Sequence, residues 1–282
     1  MKFTKMHGIG NDYIYVYTEE ETVKNPAAVS VRVSDRHKGI GADGLILIGK
    51  NNDGLFTMDI YNANGSRGKM CGNGIRCVGK YLYDRGLTKG LKEIDVATLS
   101  GVKHLSLKCE EGVCVGATVN MGTPVFKAHD IPVDADVSER GELSIGNSVY
   151  NVFPVSMGNP HCVVFADEAP LNLKSLDDLG IEKIGPRFER SAAFPESVNT
   201  EFVLTEDEHT ISMRVWERGS GETMACGTGA CAAAVQAIAT GRVKKGTVRV
   251  KLLGGDLEIF WDGGDVLMTG PCETICVGEV FI

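Results

Sequence analysis

The feature that most constrains this chain is a short motif that occurs once in each half. Met70-Cys71-Gly72-Asn73-Gly74 matches Ala225-Cys226-Gly227-Thr228-Gly229. Two further pairs of residues precede the two copies in the same order, namely Gly10-Asn11 with Gly158-Asn159 and then Tyr61-Asn62 with Trp216-Glu217. The shared order predicts an internal duplication and two pseudo-symmetric domains, with a border near residues 120–123.

A helical pattern follows each copy of the motif and ends at a glycine. The first extends from about Gly72 to Arg85, before Gly86. The second extends from about Gly227 to Thr240, before Gly241, and is apolar nearly all round. A helix of that kind must be buried on most sides, as it would be inside a curved sheet.

Strand patterns dominate the rest of the chain, and two further helices are predicted. Asn25-Pro26 is typical of a helix start and predicts a helix towards Arg36, while Leu173–Ile184 is predicted as an amphipathic helix. The predicted strands are Tyr13–Tyr17, Leu45–Ile48, Phe56–Tyr61, Ile94–Leu99, Val102–Leu107, Val113–Val119, Val152–Val155, Cys162–Phe165, Phe202–Leu204, Ile211–Trp216, Val248–Leu253, Leu257–Trp261 and Thr274–Phe281. The predicted fold class is α/β of the α+β kind, with a curved and mainly antiparallel sheet around a central helix in each domain.

Composition excludes several classes of protein. With 43% hydrophobic and 23% charged residues the chain is neither disordered nor fibrous. A formal net charge of −8 argues against a nucleic-acid partner, which requires surfaces rich in Lys and Arg. No apolar stretch is long enough for a secretory signal or a membrane span, so we expect a cytoplasmic protein without a membrane partner.

The cysteines are predicted to be free. There are nine of them, an odd number, and no Cys-x-x-Cys pair occurs, which weakens both a disulfide framework and a zinc site. Five lie in apolar, strand-like surroundings and are expected to be small buried residues, namely Cys109, Cys114, Cys162, Cys272 and Cys276.

Cys71 and Cys226 are different because each opens a predicted helix. The helix dipole and free backbone N–H groups favour a thiolate there, and the neighbouring glycines leave room for an anion. One such element could be a nucleophile, an anion site or a structural turn. If the two halves face each other, however, one thiolate can remove an α-proton while the opposite thiol returns one to the other face, which inverts a stereocentre.

Several motifs together resemble the diaminopimelate epimerase family over essentially the whole chain. The segments that carry the resemblance are Met6-His7-Gly8-Ile9-Gly10-Asn11-Asp12-Tyr13, Cys71-Gly72-Asn73-Gly74-Ile75-Arg76-Cys77, Gly158-Asn159-Pro160-His161-Cys162 and Glu217-Arg218-Gly219-Ser220-Gly221-Glu222-Thr223, which leads into the second cysteine motif. The resemblance implies interconversion of LL- and meso-2,6-diaminoheptanedioate without pyridoxal phosphate or any other cofactor, and without a metal. It also implies a homodimer and a C-terminal strand that returns to the first domain, so that the domains comprise residues 1–121 with about 272–282, and residues 122–271.

The resemblance assigns roles to individual residues. Cys71 and Cys226 would be the acid/base thiols, Arg218 would pair with the distal carboxylate, and His161 would support a thiol. The other residues expected to bind the zwitterionic substrate are Asn11, Asn62, Gly72, Asn73, Asn159, Asn199, Glu217, Gly227 and Thr228. One departure is Gly44, where some members carry an amide side chain.

Other interpretations of the same residues stay open. The asparagines in glycine-rich turns are typical of local backbone support, Glu217 and Arg218 could be a solvated pair, and His161 could be a hydrogen-bonded core residue. A two-thiol proline or hydroxyproline racemase is the nearest alternative enzyme. Such proteins usually carry His where this chain has Asn73, and they need no second carboxylate site, so Arg218 is the residue that discriminates between the two. A redox protein that uses the two cysteines as a reversible pair is the alternative from another class.

Overall fold

A computed structural model describes residues 1–127, 130–134, 136–137 and 141–282. The chain divides into two compact units. The first comprises Met1–Asn120 together with Thr269–Ile282, and the second comprises Met121–Met268. The sequence placed these borders after residue 121 and before residue 272.

In the first unit, strands pair around two helices. In chain order its elements are β1 (Lys2–Gly8), β2 (Asn11–Tyr17), α1 (Pro26–Ser34), β3 (Gly44–Lys50), β4 (Phe56–Asn62), β5 (Arg67–Gly68), α2 (Gly72–Asp84), β6 (Glu93–Thr98), β7 (Gly101–Glu110) and β8 (Val113–Gly122). β1 pairs with β2, β3 with β4, β4 with β5, β6 with β7 and β7 with β8 in antiparallel fashion. The β2–β3 and β4–β6 pairs are parallel.

In the second unit, the same kinds of element follow one another. They are β9 (Glu142–Ile145), β10 (Ser148–Asn151), β11 (Phe153–Ser156), β12 (Pro160–Phe165), α3 (Ile181–Glu189), β13 (Asn199–Asp207), β14 (Thr210–Glu217), β15 (Gly221–Glu222), α4 (Gly227–Ala239), β16 (Gly246–Leu252), β17 (Gly255–Trp261) and β18 (Val266–Pro271). The last strand, β19 (Glu273–Glu279), pairs with β1 in the first unit.

The strand pairings repeat from one unit to the other. β11–β12 and β13–β14 are antiparallel, as are β14–β15 and β16–β17, while β12–β13 and β14–β16 are parallel. This is the pattern of β1 to β7, with α4 in the place of α2. The predicted sheet-dominated, duplicated α+β fold is therefore confirmed.

The two central helices begin and end in the same way. α2 has Cys71 as its N-cap and α4 has Cys226. Each helix ends at a glycine in the left-handed region, Gly86 with φ 71° and Gly241 with φ 72°. The amide of Leu87 then donates to the carbonyl of Leu82, and that of Arg242 donates to the carbonyl of Ala237. The N···O distance is 2.9 Å in both hydrogen bonds. These bonds close the last helical turn around a residue in a left-handed backbone conformation, which only glycine adopts without strain.

The other helix predictions had mixed outcomes. α1 begins after Asn25, whose side chain accepts from the amide of Ala28, as predicted. The single helix predicted over Leu173–Ile184 is wrong. A 3₁₀ turn at Leu176–Asp178 is followed by an extended Leu179, and α3 starts only after Gly180. Ser175 caps the short turn by accepting from the amide of Asp177, which competes with a continuous helix.

Burial corrects the prediction for two cysteines. Cys114, Cys162 and Cys272 are buried as expected, but Cys109 is only partly buried and Cys276 is exposed. Cys276 lies on β19, where almost every residue is exposed. An apolar strand pattern does not reveal which face lacks a covering layer, and the prediction failed for that reason. Within the described ranges, no helix has the length and apolar character required to cross a membrane.

Candidate active site

The first candidate thiol is held at the start of α2. The Sγ atom of Cys71 accepts from the amide of Gly74 at 3.3 Å and donates to Oδ1 of Asn11 at the same distance. A side chain at Gly74 would be strained, since its Cβ would lie 2.7 Å from the end of Ile46. The helix start therefore brings a partly buried sulfur, the amide of Gly74 and an asparagine oxygen together.

Asn11 is oriented by an acidic residue. Its amide nitrogen donates to Oδ2 of Asp43 at 2.7 Å, so its oxygen is the atom that is directed at Cys71. The same oxygen lies 3.5 Å from the amide nitrogen of Asn73. Asn73 is buried, and its own oxygen accepts from Arg76 over 3.0 Å. The structure thus groups Cys71, Asn11 and Asn73, as the sequence predicted for one half.

Three further residues of the first unit are relevant to the site, namely Tyr13, Asn62 and Gly72. Tyr13 is buried, and its pKa is raised well above the usual value by burial and then by the neighbouring Cys71 sulfur. Asn62 ends β4, where its amide nitrogen donates to the hydroxyl of Ser66 over 2.9 Å. Gly72, the first residue of α2, supplies the peptide group next to the thiol.

The second candidate thiol has the same place on α4 but different neighbours. The Sγ atom of Cys226 accepts from the amide of Gly229 at 3.4 Å and lies 3.5 Å from the hydroxyl of Thr228. Cys226 is buried, with 6% of its surface exposed. Burial raises the pKa of this thiol well above the usual value, and the charges of Glu217 and Glu201 add to the effect. These surroundings favour the protonated form of the Cys226 thiol.

Glu217 ends β14, as Asn62 ends β4. Its carboxylate accepts from the hydroxyl of Thr223 over 2.5 Å. Burial raises the pKa of Glu217, while hydrogen bonds from Thr223 and Cys226 act in the opposite direction. A carboxylate with a raised pKa beside a thiol is a candidate for exchanging a proton with it.

His161 connects Asn159 to a buried carboxylate. Its Nδ1 atom lies 2.7 Å from Oε1 of Glu201, and its Nε2 atom lies 3.1 Å from Oδ1 of Asn159. The amide nitrogen of Asn159 in turn lies 3.4 Å from the hydroxyl of Thr228. His161 is therefore a hydrogen-bonded buried residue, and it also belongs to a chain of contacts that leads to Cys226.

Asn199 and Arg218 form a third group in the second unit. The side-chain nitrogen of Asn199 donates to the carbonyl of Pro160 at 3.0 Å. Its side-chain oxygen accepts from the backbone amide of Arg218, also at 3.0 Å. Arg218 is exposed, and its guanidinium donates to the carbonyl of Glu196 over 2.9 Å. Asn199 retains one amide hydrogen for a ligand, while its contacts position the backbone of Arg218.

Gly44 cannot carry a side chain in this fold. It pairs with Asn62 across β3 and β4, and a Cβ there would lie 2.2 Å from the carbonyl of Tyr61. The residue at the corresponding place in the second unit is Asn199, beside Glu217. The amide that the sequence shows to be missing at Gly44 is therefore excluded by the backbone around it.

Sequence reasoning missed Asp43, Glu201, Tyr13 and Thr223 as parts of these two groups. Glu201 carried a signal, because a charged residue followed by Phe202 and Val203 in a strand is unusual unless it is paired. Asp43 and Thr223 lie in polar loops, where their partners are unpredictable from sequence. Among the described residues, no group of three or more His, Cys, Asp or Glu side chains is arranged to hold a metal ion.

A family model and curated relatives agree on the family that this sequence resembles. The model of the family described as "Diaminopimelate epimerase" matches residues 3–127 and 153–275. A diaminopimelate epimerase of Acetivibrio thermocellus is 48% identical over 284 residues, which cover 99% of this chain and 98% of that protein. One of Methanococcus maripaludis is 47% identical over 290 residues, with both chains covered completely.

Solved structures with the same fold are much less similar in sequence. A hydroxyproline epimerase from Agrobacterium vitis with bound trans-4-hydroxy-L-proline has a TM-score of 0.70 at 15% identity, covering 99% of this chain and 90% of that one. A PhzF-family phenazine biosynthesis protein of Bacillus anthracis has a TM-score of 0.72 at 15% identity, covering 100% and 99%. At this identity the likeness concerns the fold alone.

Proposed function

The chain belongs to the diaminopimelate epimerase family, and from this premise we propose that it interconverts LL- and meso-2,6-diaminoheptanedioate with its own side chains and no cofactor. The observation that carries the proposal is the pair of matched thiols. Cys71 and Cys226 each cap a buried helix, and each sulfur accepts from the amide of a glycine three residues later. One thiol from each unit is what an inversion by two bases requires.

The proposed reaction is a proton transfer on each face of one carbon. One cysteine, as thiolate, removes the α-proton, and the other, as thiol, donates a proton to the opposite face. Backbone amides at the starts of α2 and α4 would bind the α-carboxylate, on which negative charge develops. Gly72 and Asn73 would supply this contact in the first unit, and Gly227 and Thr228 in the second. Cys226 enters this scheme with its proton, since burial and two carboxylates raise its pKa.

The remaining residues would match the charges of the substrate. Two ammonium and two carboxylate groups need polar partners, because any unpaired charge in the site would be costly. We propose amide contacts from Asn11, Asn62, Asn159 and Asn199. Glu217 would bind an ammonium group, and the planar guanidinium of Arg218 suits the distal carboxylate. His161 would support the second thiol through the contacts described above.

Proton NMR in D2O tests the proposal. Reduced wild-type protein with LL-diaminopimelate and no pyridoxal phosphate should lose the α-proton signal as the meso isomer forms. Cys71→Ala and Cys226→Ala should show neither change. Cys109→Ala, which alters a partly buried cysteine on β7, is the matched control and should behave as wild type. Absence of exchange with reduced wild-type protein would refute the proposal, and L-proline in a parallel tube would test the alternative substrate.

We also propose that the protein is a homodimer in the cytoplasm. Large apolar side chains are exposed near the C-terminus, including Ile275 at 50%, Val277 at 74% and Phe281 at 86%. A second copy of the chain would remove this apolar surface from water. The chemistry also needs reduced thiols, which the cytoplasm maintains. Sedimentation of wild-type protein and a Val277→Asp variant tests the dimer, which the variant should weaken.

A further inference from the structure

A buried carboxylate in the second unit contacts His161 and has no assigned contact with the proposed substrate. Glu201 and His161 are both fully buried, with 0% of either side chain exposed, and the contact between them is 2.7 Å long. The other oxygen of Glu201 has no hydrogen-bond partner among the described residues. A buried ion pair of this kind rarely adds net stability relative to apolar residues of similar size, so its presence calls for another explanation.

The matching place in the first unit shows that the fold does not need this carboxylate. Ile46 pairs with Ile60, which lies two residues before Asn62. Glu201 pairs with Val215, which lies two residues before Glu217. Ile46 and Glu201 therefore occupy the same position on β3 and β13, and both are fully buried. An isoleucine is sufficient for packing at this position.

The hydrogen bonds of His161 fix where its hydrogens must be. Oε1 of Glu201 faces one ring nitrogen and Oδ1 of Asn159 faces the other. The amide oxygen can only accept, so Nε2 must carry a hydrogen. A second hydrogen lies between Nδ1 and the carboxyl group of Glu201. If Nδ1 held the only ring hydrogen, Nε2 could not donate to Asn159.

The hydrogen on Nε2 and the orientation of the Asn159 amide depend on each other. With its oxygen bound to His161, Asn159 directs its nitrogen at Thr228. Asn11, its counterpart in the first unit, is turned the other way, because Asp43 binds its nitrogen and leaves its oxygen at Cys71. The matched asparagines thus offer opposite groups, an acceptor in the first unit and a donor in the second.

We propose that Glu201 is a positioning residue that acts through His161: the pair keeps a hydrogen on Nε2 of His161, and this hydrogen holds Asn159 with its amide nitrogen directed at Thr228. Asn159 thereby offers N–H donors beside the start of α4, where the proposed substrate carboxylate would need them. The consequence for catalysis rests on the proposed function, whereas the hydrogen-bond arrangement itself does not.

Two substitutions of Glu201 test the proposal. Glu201→Ile copies the first unit, and Glu201→Gln keeps the shape but cannot share a proton with the ring. Asp167→Asn is the matched control, because it removes a carboxylate in the same unit that binds Arg242 at 3.0 Å on the surface. Nitrogen NMR of the substrate-free proteins reports the hydrogens on the His161 ring, with a His161→Gln variant to assign the signals. Kinetics of epimerisation and thermal unfolding complete the comparison.

The expected result is a change at His161 that accompanies a loss of activity in a folded protein. In Glu201→Ile the Nε2 signal should move towards a mixture of neutral tautomers, and kcat/KM should fall by about 10- to 100-fold, as for other residues that orient a functional group. Glu201→Gln should lose less. Asp167→Asn should keep the His161 signals and stay within about twofold of wild type, as expected for a surface pair.

Specific results would overturn the proposal. An unchanged Nε2 signal in Glu201→Ile would do so, as would a kcat/KM within about twofold of wild type, because a residue that only fills the core is replaceable by isoleucine. If Glu201→Ile does not fold, the same two readouts of Glu201→Leu decide, because leucine also has no group that can bond to the ring. If wild-type protein does not turn over diaminopimelate, the proposed function fails, while the NMR comparison still decides on the arrangement around His161.

Discussion

The two units share a topology, a helix start and a capping cysteine, yet the two sulfurs lie in different chemical surroundings. Cys71 is partly exposed and donates to the oxygen of Asn11. Cys226 is buried beside Glu217, and two carboxylates raise its pKa in addition to burial. A duplicated fold thus provides equivalent positions, and the side chains around them then make the positions chemically unequal.

This inequality is compatible with the proposed reaction, which needs one thiolate and one thiol at the same time. Two thiols in identical surroundings would have the same proton affinity, and neither would be favoured as the acid. Carboxylates near one of the two favour the protonated form there. Four measurements test in which respects the two units differ.

The largest effect should come from changing either sulfur to oxygen. Cys71→Ser and Cys226→Ser should each lower kcat by about 10³-fold or more, because a hydroxyl is a far weaker acid than a thiol and proton transfer is the reaction itself. Both losses should be of similar size, since one turnover uses both groups. Epimerisation rates of the two variants check this, with Cys109→Ser, at a partly buried cysteine on β7, as the control. A variant that retains more than about a tenth of the wild-type kcat would contradict a reaction by two thiols.

The next measurement compares the protonation of the two thiols through their reactivity. Only the thiolate is alkylated, and the raised pKa of Cys226 leaves little thiolate at pH 8. Iodoacetamide should therefore label Cys71 about ten times faster or more than Cys226, as followed by peptide mass spectrometry. The Cys226 rate should continue to rise with pH above 9, because the thiolate fraction increases until the pH passes the pKa. Equal rates at pH 8 would show that the two surroundings do not differ in this way.

A smaller effect is expected from adding a methyl group at matched glycines. A Cβ at Gly229 would lie 2.7 Å from Oε1 of Glu201 and 3.2 Å from the sulfur of Cys226, whereas one at Gly74 would meet the flexible end of Ile46 at 2.7 Å. Ile46 can yield, but the carboxylate is held by His161. Gly229→Ala should therefore lower the free energy of unfolding more than Gly74→Ala does. The expected loss for Gly229→Ala is about 1–3 kcal/mol, as for an overpacked site. Urea unfolding of both variants checks the order, and the reverse order would show that the Glu201–His161 pair is not rigid.

The same contrast explains which features were predictable from sequence. Cys71, Cys226 and their glycines form a contiguous pattern that is repeated, so the helix starts and the duplication could be recognised directly. The alternation of Ile211, Met213 and Val215 with more exposed residues likewise predicted β14. Glu201 and Asp43 act through residues that are distant along the chain, and no local pattern shows such contacts. In the same way, Leu173–Ile184 has a helical pattern, but Gly180 and the cap at Ser175 divide it.

The smallest effect tests how far the equivalence of the units extends away from the sulfurs. Gly86 and Gly241 end α2 and α4 with φ values of 71° and 72°, and a Cβ at either would meet nothing within 4 Å. Gly86→Ala and Gly241→Ala should therefore each cost only the strain of a left-handed backbone, about 1–2 kcal/mol, with activity unchanged. Because the helix ends are built alike, the two free-energy changes should agree closely in urea unfolding. A clear difference would show that the units differ in stability at their helix ends as well as in chemistry at their helix starts.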